Sequence, residues 1–221
     1  MLVKNIAARR KCYCAVTLCP PPPNDIEGAC YEGENLLIDR QIIARCNIEK
    51  GMTLTLDEIK DLCHVSECYR AKNKAVWYLS RTDYSEKLLF DKLCRTFTKK
   101  ASAFAVAQMV NKGYLNDERF ALSLISRLKG KNASVKDIRQ KLYLKGISKD
   151  ICDALLKSDD LTDSDYDRLL SLIKSKYINK ISAEDDRRKT AQALRRRGFS
   201  FTDINKALNS FNCSDCDEEI F

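Results

Sequence analysis

Apolar side chains recur on one side of the chain at helical spacing from about residue 71 onward. One such stripe, which follows Asp117, consists of Phe120, Ala121, Leu124, Ile125 and Leu128. Spacings of three and four residues place these side chains on a single helix face, which must then pack against a neighbour. The other predicted stripes are Ala75/Val76/Leu79, Leu88/Leu89/Leu93, Phe104/Ala107/Val110, Val135/Ile138/Leu142, Ile151/Ala154/Leu155, Tyr166/Leu169/Leu170/Ile173, Ala191/Leu194 and Ile204/Ala207/Leu208/Phe211.

The first third of the chain has a different pattern. Lys11–Leu18 is rich in β-forming residues and predicts a strand, and the proline run Pro20–Pro23 predicts a loop or spacer. Leu36–Ile43 fits either a short strand or a helix. Thr55 and Glu58 have the spacing of a capping box, in which each side chain satisfies a backbone N–H of the other residue. A helix is therefore expected to begin after Thr55.

Two segments of the helical part resemble each other. Leu142–Ser148 and Leu194–Ser200 each contain a leucine, three intervening residues, a glycine, an apolar residue and a serine, and a short helix follows. Leu93–Phe97 is a degenerate third copy that lacks the glycine. The unit length of roughly 45–50 residues is typical of stacked helical repeats.

These patterns predict a mainly α fold, an elongated tandem array of three-helix, helix-turn-helix-like repeats behind a small, partly β N-terminal extension. Few prolines and glycines favour helices over a sandwich or barrel. The predicted divisions are an N-terminal extension over 1–69, repeats over 70–115, 116–160 and 161–212, and an acidic tail over 213–221.

The basic residues are unevenly placed. The net charge is +8, and its cations concentrate around the turns of the second and third predicted repeats. Such clustering indicates a surface for a polyanion or an acidic protein, although a solvated helix face would give the same pattern. The candidate binding residues are Lys141, Lys145, Arg187, Arg188, Arg195, Arg196 and Arg197.

Residues that would support catalysis or metal binding are sparse. The sequence contains no phosphate-binding glycine-lysine loop, and its one histidine, His64, lies in no catalytic motif. The eleven cysteines are odd in number and have no zinc-ribbon spacing, so we expect most of them to be small buried apolar residues. We therefore predict a protein that is not an enzyme and needs no cofactor or metal.

No apolar run reaches the ~18 residues that a membrane span needs, and no secretory signal is recognisable. A monomer in the cytoplasm, with no membrane partner, is expected.

Gly113–Ala121, which reads GYLNDERFA, resembles the signature of the bacterial RecX family, the regulators of RecA recombinase. Arg196–Ser200, which reads RRGFS, is similar to the turn of that family's third repeat. The resemblance covers about residues 71–211. Asn116 stands where the family more often has an acid, and the first repeat lacks its glycine.

The resemblance implies a non-catalytic modulator, mainly an inhibitor, of RecA. Such a protein would bind in the groove of the RecA filament on single-stranded DNA and restrain ATP hydrolysis and strand exchange. Its partners would be the RecA filament and, weakly and without sequence specificity, single-stranded DNA. Short helices joined by glycine turns also fit an independent helix-turn-helix DNA-binding protein, and a plain structural scaffold is the third reading.

Overall fold

A computed structural model describes residues 1–9, 13–19, 34–157, 163–178 and 184–213 of the chain. The proline run and nearly all of the predicted acidic tail lie outside these ranges. The chain forms two compact units, Met1–Leu115 and Asn116–Phe221. The described residues form ten helices and a three-stranded sheet, which confirms the mainly α prediction with a small N-terminal β part.

The first unit begins with an antiparallel sheet in the order β1 (Leu2–Ala8), β2 (Tyr13–Cys19), β3 (Glu34–Asp39). The short helix α1 (Arg40–Arg45) follows β3 directly, so the ambiguous segment is a strand and then a helix. Apolar side chains from the sheet, α1 and the start of the next helix share one core, to which Val3, Val16, Leu18, Ile38, Ile42 and Leu62 contribute.

The rest of the first unit consists of α2 (Leu56–Leu79), α3 (Glu86–Leu93) and α4 (Lys99–Asn111). The predicted capping box begins α2: the Thr55 hydroxyl accepts from the Glu58 N–H at 3.2 Å, and the Glu58 carboxylate accepts from the Thr55 N–H at 2.7 Å. The helix is continuous for 24 residues and crosses the predicted boundary between residues 69 and 70. Its second half packs with α3 and α4 around a core that includes Ala71, Leu89 and Met109.

The second unit contains two three-helix groups, each with its own core. The first group is α5 (Asp117–Lys129), α6 (Val135–Leu144) and α7 (Lys149–Leu156), packed around Leu124, Ile138, Leu142 and Cys152. The second group is α8 (Asp163–Lys176), α9 (Glu184–Arg196) and α10 (Phe201–Cys213), packed around Leu169, Ile173, Leu194 and Ile204.

The two matched segments form the same turn. Gly146 and Gly198 have φ values of 84° and 90°, which a residue with a side chain rarely adopts. Ile147 N–H donates to the Leu142 carbonyl at 3.1 Å and Phe199 N–H to the Leu194 carbonyl at 3.4 Å, the six-to-one bond of a Schellman motif. The degenerate copy differs: there Phe97 N–H donates to the Leu93 carbonyl four residues back, without a positive φ.

One predicted stripe was wrong, and two others were wrong in part. Phe104, Ala107 and Val110 are exposed, because α4 buries the opposite face, which carries Ala101, Ala105 and Met109. The small alanines allow α2 and α4 to approach closely, and this contact outweighs the burial of the larger side chains. Val76 is likewise exposed on α2, and Ala154 on α7, where Cys152 and Leu156 are buried instead.

None of the described helices combines the length and the apolar character that crossing a membrane would require.

Candidate functional site

An open groove of about 800 Å³ lies in the second unit. Its walls are the turn after α5, one side of α6 and the C-terminal ends of α8 and α9. Its charged lining consists of Lys131, Lys141, Lys176, Arg196, Arg197 and Asp137. Five cations thus face one carboxylate, and we refer to these six residues as the basic groove.

The single carboxylate in the basic groove neutralises one of the cations. Lys141 Nζ lies 2.7 Å from Asp137 Oδ2, one helical turn back on α6. Arg196, Lys131 and Lys176 are exposed and have no carboxylate within 4.0 Å among the described residues. The groove therefore keeps a surplus of positive charge, which suits a phosphate or carboxylate ligand.

Helix ends explain how these cations are tolerated so close together. Lys176 is the last residue of α8 and Arg196 the last of α9, and Lys131 follows the end of α5. The C-terminus of a helix carries a partial negative charge, which stabilises nearby cations by ~0.3–1 kcal/mol at exposed positions. The backbone thereby offsets part of the mutual repulsion before any ligand is present.

Two hydrogen bonds hold the walls of the groove together. The Ser134 hydroxyl caps α6 by accepting from Asp137 N–H at 3.2 Å, and donates to the backbone carbonyl of Arg197 at 2.6 Å. Asp165, on α8, accepts from Val135 N–H at 3.2 Å. Both bonds pair a side chain with a backbone group and join the start of α6 to the second three-helix group, so they hold in place the backbone that carries the cations.

The structure brings together three of the seven predicted binding residues: Lys141, Arg196 and Arg197 line the basic groove. Arg187 donates from Nη2 to Asn209 Oδ1 at 2.5 Å and is thus tied to α10. Arg188 and Arg195 are exposed, seven residues apart on one side of α9 and outside the groove lining. Lys145 is also exposed and outside it, at the C-cap of α6.

Sequence reasoning missed Lys131 and Lys176 as groove residues. Lys131 lies in a recognisably basic run, but Lys176 lies 45 residues further on, and no local pattern links the two. Only the packing of α8 beside α6 brings them to one groove.

The thiol and imidazole groups offer little reactive chemistry. His64 is exposed, with Nε2 3.7 Å from Cys68 Sγ, and burial raises the pKa of the Cys68 thiol. Burial likewise raises the pKa of the Cys152 thiol. Among the described residues, no cluster of three histidine, cysteine, aspartate or glutamate side chains is placed to hold a metal ion.

Comparison with known proteins connects both units to one family. Residues 163–208 match the family model described as the third three-helix domain of RecX. The chain is 27% identical over 178 residues to Regulatory protein RecX of Clostridioides difficile strain 630, covering 79% of this chain and 83% of that protein. It is 28% identical over 187 residues to Regulatory protein RecX of Bacillus velezensis strain FZB42, covering 82% and 70% of the two chains.

Two solved structures share the fold. A crystal structure of regulatory protein RecX aligns with a TM-score of 0.61 at 18% identity, over 94% of this chain and 98% of that one. A crystal structure of RecX from Lactobacillus salivarius aligns with a TM-score of 0.53 at 22% identity, over 67% and 99%. With the matched third domain and the relatives that span most of the sequence, the predicted resemblance of this chain to the RecX family is confirmed.

Proposed function

We propose that this chain modulates RecA recombinase, mainly as an inhibitor, by binding in the groove of the RecA–single-stranded DNA filament. Bound there, it restrains ATP hydrolysis and strand exchange. Similarity over most of the chain to proteins named Regulatory protein RecX supports a role in regulation. The basic groove carries the proposal, because its surplus of cations suits a filament that presents both DNA phosphates and protein carboxylates.

The contacts proposed for the basic groove are with phosphates of the single strand or carboxylates of RecA. Arginine presents several N–H donors in a planar fork that matches both kinds of oxygen pair, so Arg196 and Arg197 are assigned the largest share. Lys141 contributes less, because Asp137 already neutralises it. The four predicted residues outside the groove remain candidates for contacts beside it.

The proposed protein acts as a monomer in the cytoplasm, without a cofactor and without catalysis of its own. Its affinity for free single-stranded DNA is weak and independent of sequence. In this proposal, contacts with RecA give the specificity, and contacts with DNA phosphates add binding affinity that decreases as the salt concentration rises.

The test is a titration into a RecA ATPase assay that depends on single-stranded DNA. The Arg196→Ala/Arg197→Ala variant should require several-fold more protein for half-maximal inhibition, because two groove cations are lost. Arg45→Ala/Lys50→Ala is the matched control, since it removes two exposed cations from the first unit. A third variant, Arg188→Ala/Arg195→Ala, reports on the cations of α9 outside the groove.

Excess free DNA distinguishes inhibition through RecA from capture of DNA. If added single strand abolishes inhibition in proportion to its amount, the chain acts by occupying DNA and the assignment to the filament is wrong. An unaltered inhibition curve for Arg196→Ala/Arg197→Ala would reject the basic groove as the contact surface.

The independent DNA-binding alternative makes a different prediction. A protein that reads sequence prefers one duplex over random sequence by ~4–10 kcal/mol. A selection from random duplexes that yields a consensus site would favour the alternative, and uniform recovery would favour the RecA modulator.

A further inference from the structure

The end of α2 carries an exposed tryptophan between two cations. Lys74 Nζ lies 4.1 Å from the centre of the Trp77 ring, and Arg81 Cζ lies 4.2 Å from it. Trp77 is 43% exposed, although a side chain of this size is usually covered in a folded protein. An exposed aromatic ring with cations beside it suits a ligand that has both an aromatic face and negative charge.

Local geometry explains the arrangement. Lys74 precedes Trp77 by three residues and so lies on the same side of α2. The helix ends at Leu79, and the Arg81 N–H donates to the Tyr78 carbonyl at 3.1 Å, so the turn brings the guanidinium back over the indole. The arrangement is thus built by the helix and its termination, without a long loop.

The neighbouring aromatic ring anchors the indole. Tyr78 meets Trp77 edge-on, with ring centres 5.3 Å apart and planes at 64°. Tyr78 in turn packs against Tyr84 at 6.0 Å and against the core of α2, α3 and α4. The partly buried Tyr78 ring therefore restrains the Trp77 side chain. Stacking of a flat ligand on the indole would then cost little conformational entropy.

The charges around the rings have no carboxylate partner among the residues that the structure describes. Lys74 Nζ and Lys92 Nζ lie 5.1 and 5.6 Å from the centre of the Tyr78 ring. In the part of the chain that the structure describes, no carboxylate lies within 4.0 Å of Lys74, Arg81 or Lys92. Asp83 and Asp91 are close in sequence but exposed and in no such pair. Within the described ranges these three cations thus contact aromatic rings and no carboxylate, so a bound anion would neutralise them.

We propose that Lys74, Trp77, Tyr78, Arg81 and Lys92, which we name the Trp77 patch, form a site for single-stranded nucleic acid. An unpaired base stacks on the indole, and the flexible Lys74 and Arg81 side chains turn outward to the flanking phosphates. Every base has a flat face, so the site tolerates any sequence. A duplex hides its base faces, and an acidic protein surface would leave the indole uncovered.

The chain contains one tryptophan, so its fluorescence reports on this patch alone. An oligothymidylate of about 16 nucleotides, within the range of site sizes for single-strand binding folds, should quench the emission saturably at low salt. An abasic oligonucleotide of equal length, a duplex and polyglutamate serve as probes of charge without accessible base faces. They should bind with little quenching or fail to bind.

Anisotropy of a labelled oligothymidylate tests the residues. Trp77→Ala should weaken binding roughly 5- to 150-fold, the range found when a stacking aromatic is removed. Trp77→Phe should retain most of the affinity, and Lys74→Gln/Arg81→Gln should weaken binding and flatten its salt dependence. Phe104→Ala is the matched control, because Phe104 is 46% exposed on α4 and carries no cation over its ring among the described residues.

Quenching by the abasic strand or by polyglutamate equal to that by oligothymidylate would overturn base stacking. So would a Trp77→Ala protein that binds the oligonucleotide as well as the unaltered chain does. The proposal shares with the proposed function only the contact with single-stranded DNA, and its test needs no RecA. Quenching without inhibition of RecA would therefore reject the proposed function alone, and inhibition without quenching would reject the Trp77 patch alone.

Discussion

The hydroxyl of Ser134 donates a 2.6 Å hydrogen bond to the carbonyl of Arg197, 63 residues further along the chain. Ser134 is fully buried and also caps α6. The same oxygen thus caps the middle helix of one three-helix group and contacts the backbone just after the middle helix of the other. The backbone at Arg197 that positions the groove cations is held by this bond.

Ser134→Ala should lower the free energy of unfolding of the second unit by about 1–3 kcal/mol, because both the cap and the contact with Arg197 are lost. Urea denaturation followed by circular dichroism measures this change. Ser148→Ala is the control, since Ser148 caps α7 at an exposed position and has no long-range partner among the hydrogen bonds described. Equal losses for the two variants would show that the Arg197 bond contributes nothing.

Gly198→Ala should lower the free energy of unfolding by more than the strain of a positive φ alone would. A Cβ at this position would lie 2.7 Å from Ser134 Oγ, in addition to the strain at φ +90°. Gly51 has the same φ, +91°, with no atom within 4 Å of such a Cβ. We expect about 1–2 kcal/mol for Gly51→Ala and about 2–4 kcal/mol for Gly198→Ala.

The overlap can be separated from the strain by a double substitution. Removing the hydroxyl with Ser134→Ala should reduce the additional cost of Gly198→Ala, since the clashing atom is gone. Strict additivity of the two changes in unfolding free energy would contradict the contact.

The capping box of α2 should give stability that depends on pH. The hydrogen bond from the Thr55 N–H, and then that from its hydroxyl, lowers the pKa of Glu58 below its ordinary value of 4.5. A lowered pKa stabilises the folded chain at pH values above 4.5, and the effect is lost as the pH falls through the folded-state value. Glu58→Gln keeps an acceptor but does not titrate, so the melting temperature of the unaltered chain should exceed that of the variant more at pH 7 than at pH 3. A gap independent of pH would exclude this contribution.

The basic groove predicts a measurable salt effect. The measurement is the equilibrium constant K for binding single-stranded DNA at several salt concentrations. Each phosphate contact contributes about 0.7 to the magnitude of the slope of log K against log salt concentration. If Arg196 and Arg197 each contact one phosphate, their replacement by alanine should flatten the slope by about 1.4. The control Arg45→Ala/Lys50→Ala should leave it unchanged, and an unchanged slope for the groove variant would assign those arginines to protein carboxylates.

Most of the features that could be predicted from the sequence depend on residues that are close together in the chain. The Gly146 and Gly198 turns and the capping box at Thr55 depend on residues within six positions of each other, so a short stretch of sequence contains all the determinants. The strand β1 gave a weaker signal. Its pairing with β2 is irregular between Val3 and Asn5, which breaks strict alternation and separates the inward-facing Val3 and Ile6 by three residues.

Features that depend on tertiary contact could not be predicted. The helical spacing of apolar residues suggested that α4 buries Phe104, but close approach to α2 selects the face with Ala101 and Ala105. The basic groove similarly combines Lys131 with Lys176, whose proximity depends on how two helix groups pack. The cations over Trp77 were missed for another reason: Lys74 and Arg81 are ordinary surface residues until the end of α2 is known.

The short connections between helices restrict how this chain can change in length. From Gly146 to Ser148, and from Gly198 to Ser200, only two steps separate the left-handed residue from the N-cap of the next helix. One inserted residue would break the fixed spacing between the Schellman turn that ends one helix and the serine that caps the next. Substitutions on the outer faces are compatible with this architecture, whereas a change in residue count at either turn would displace the helix that follows relative to its core.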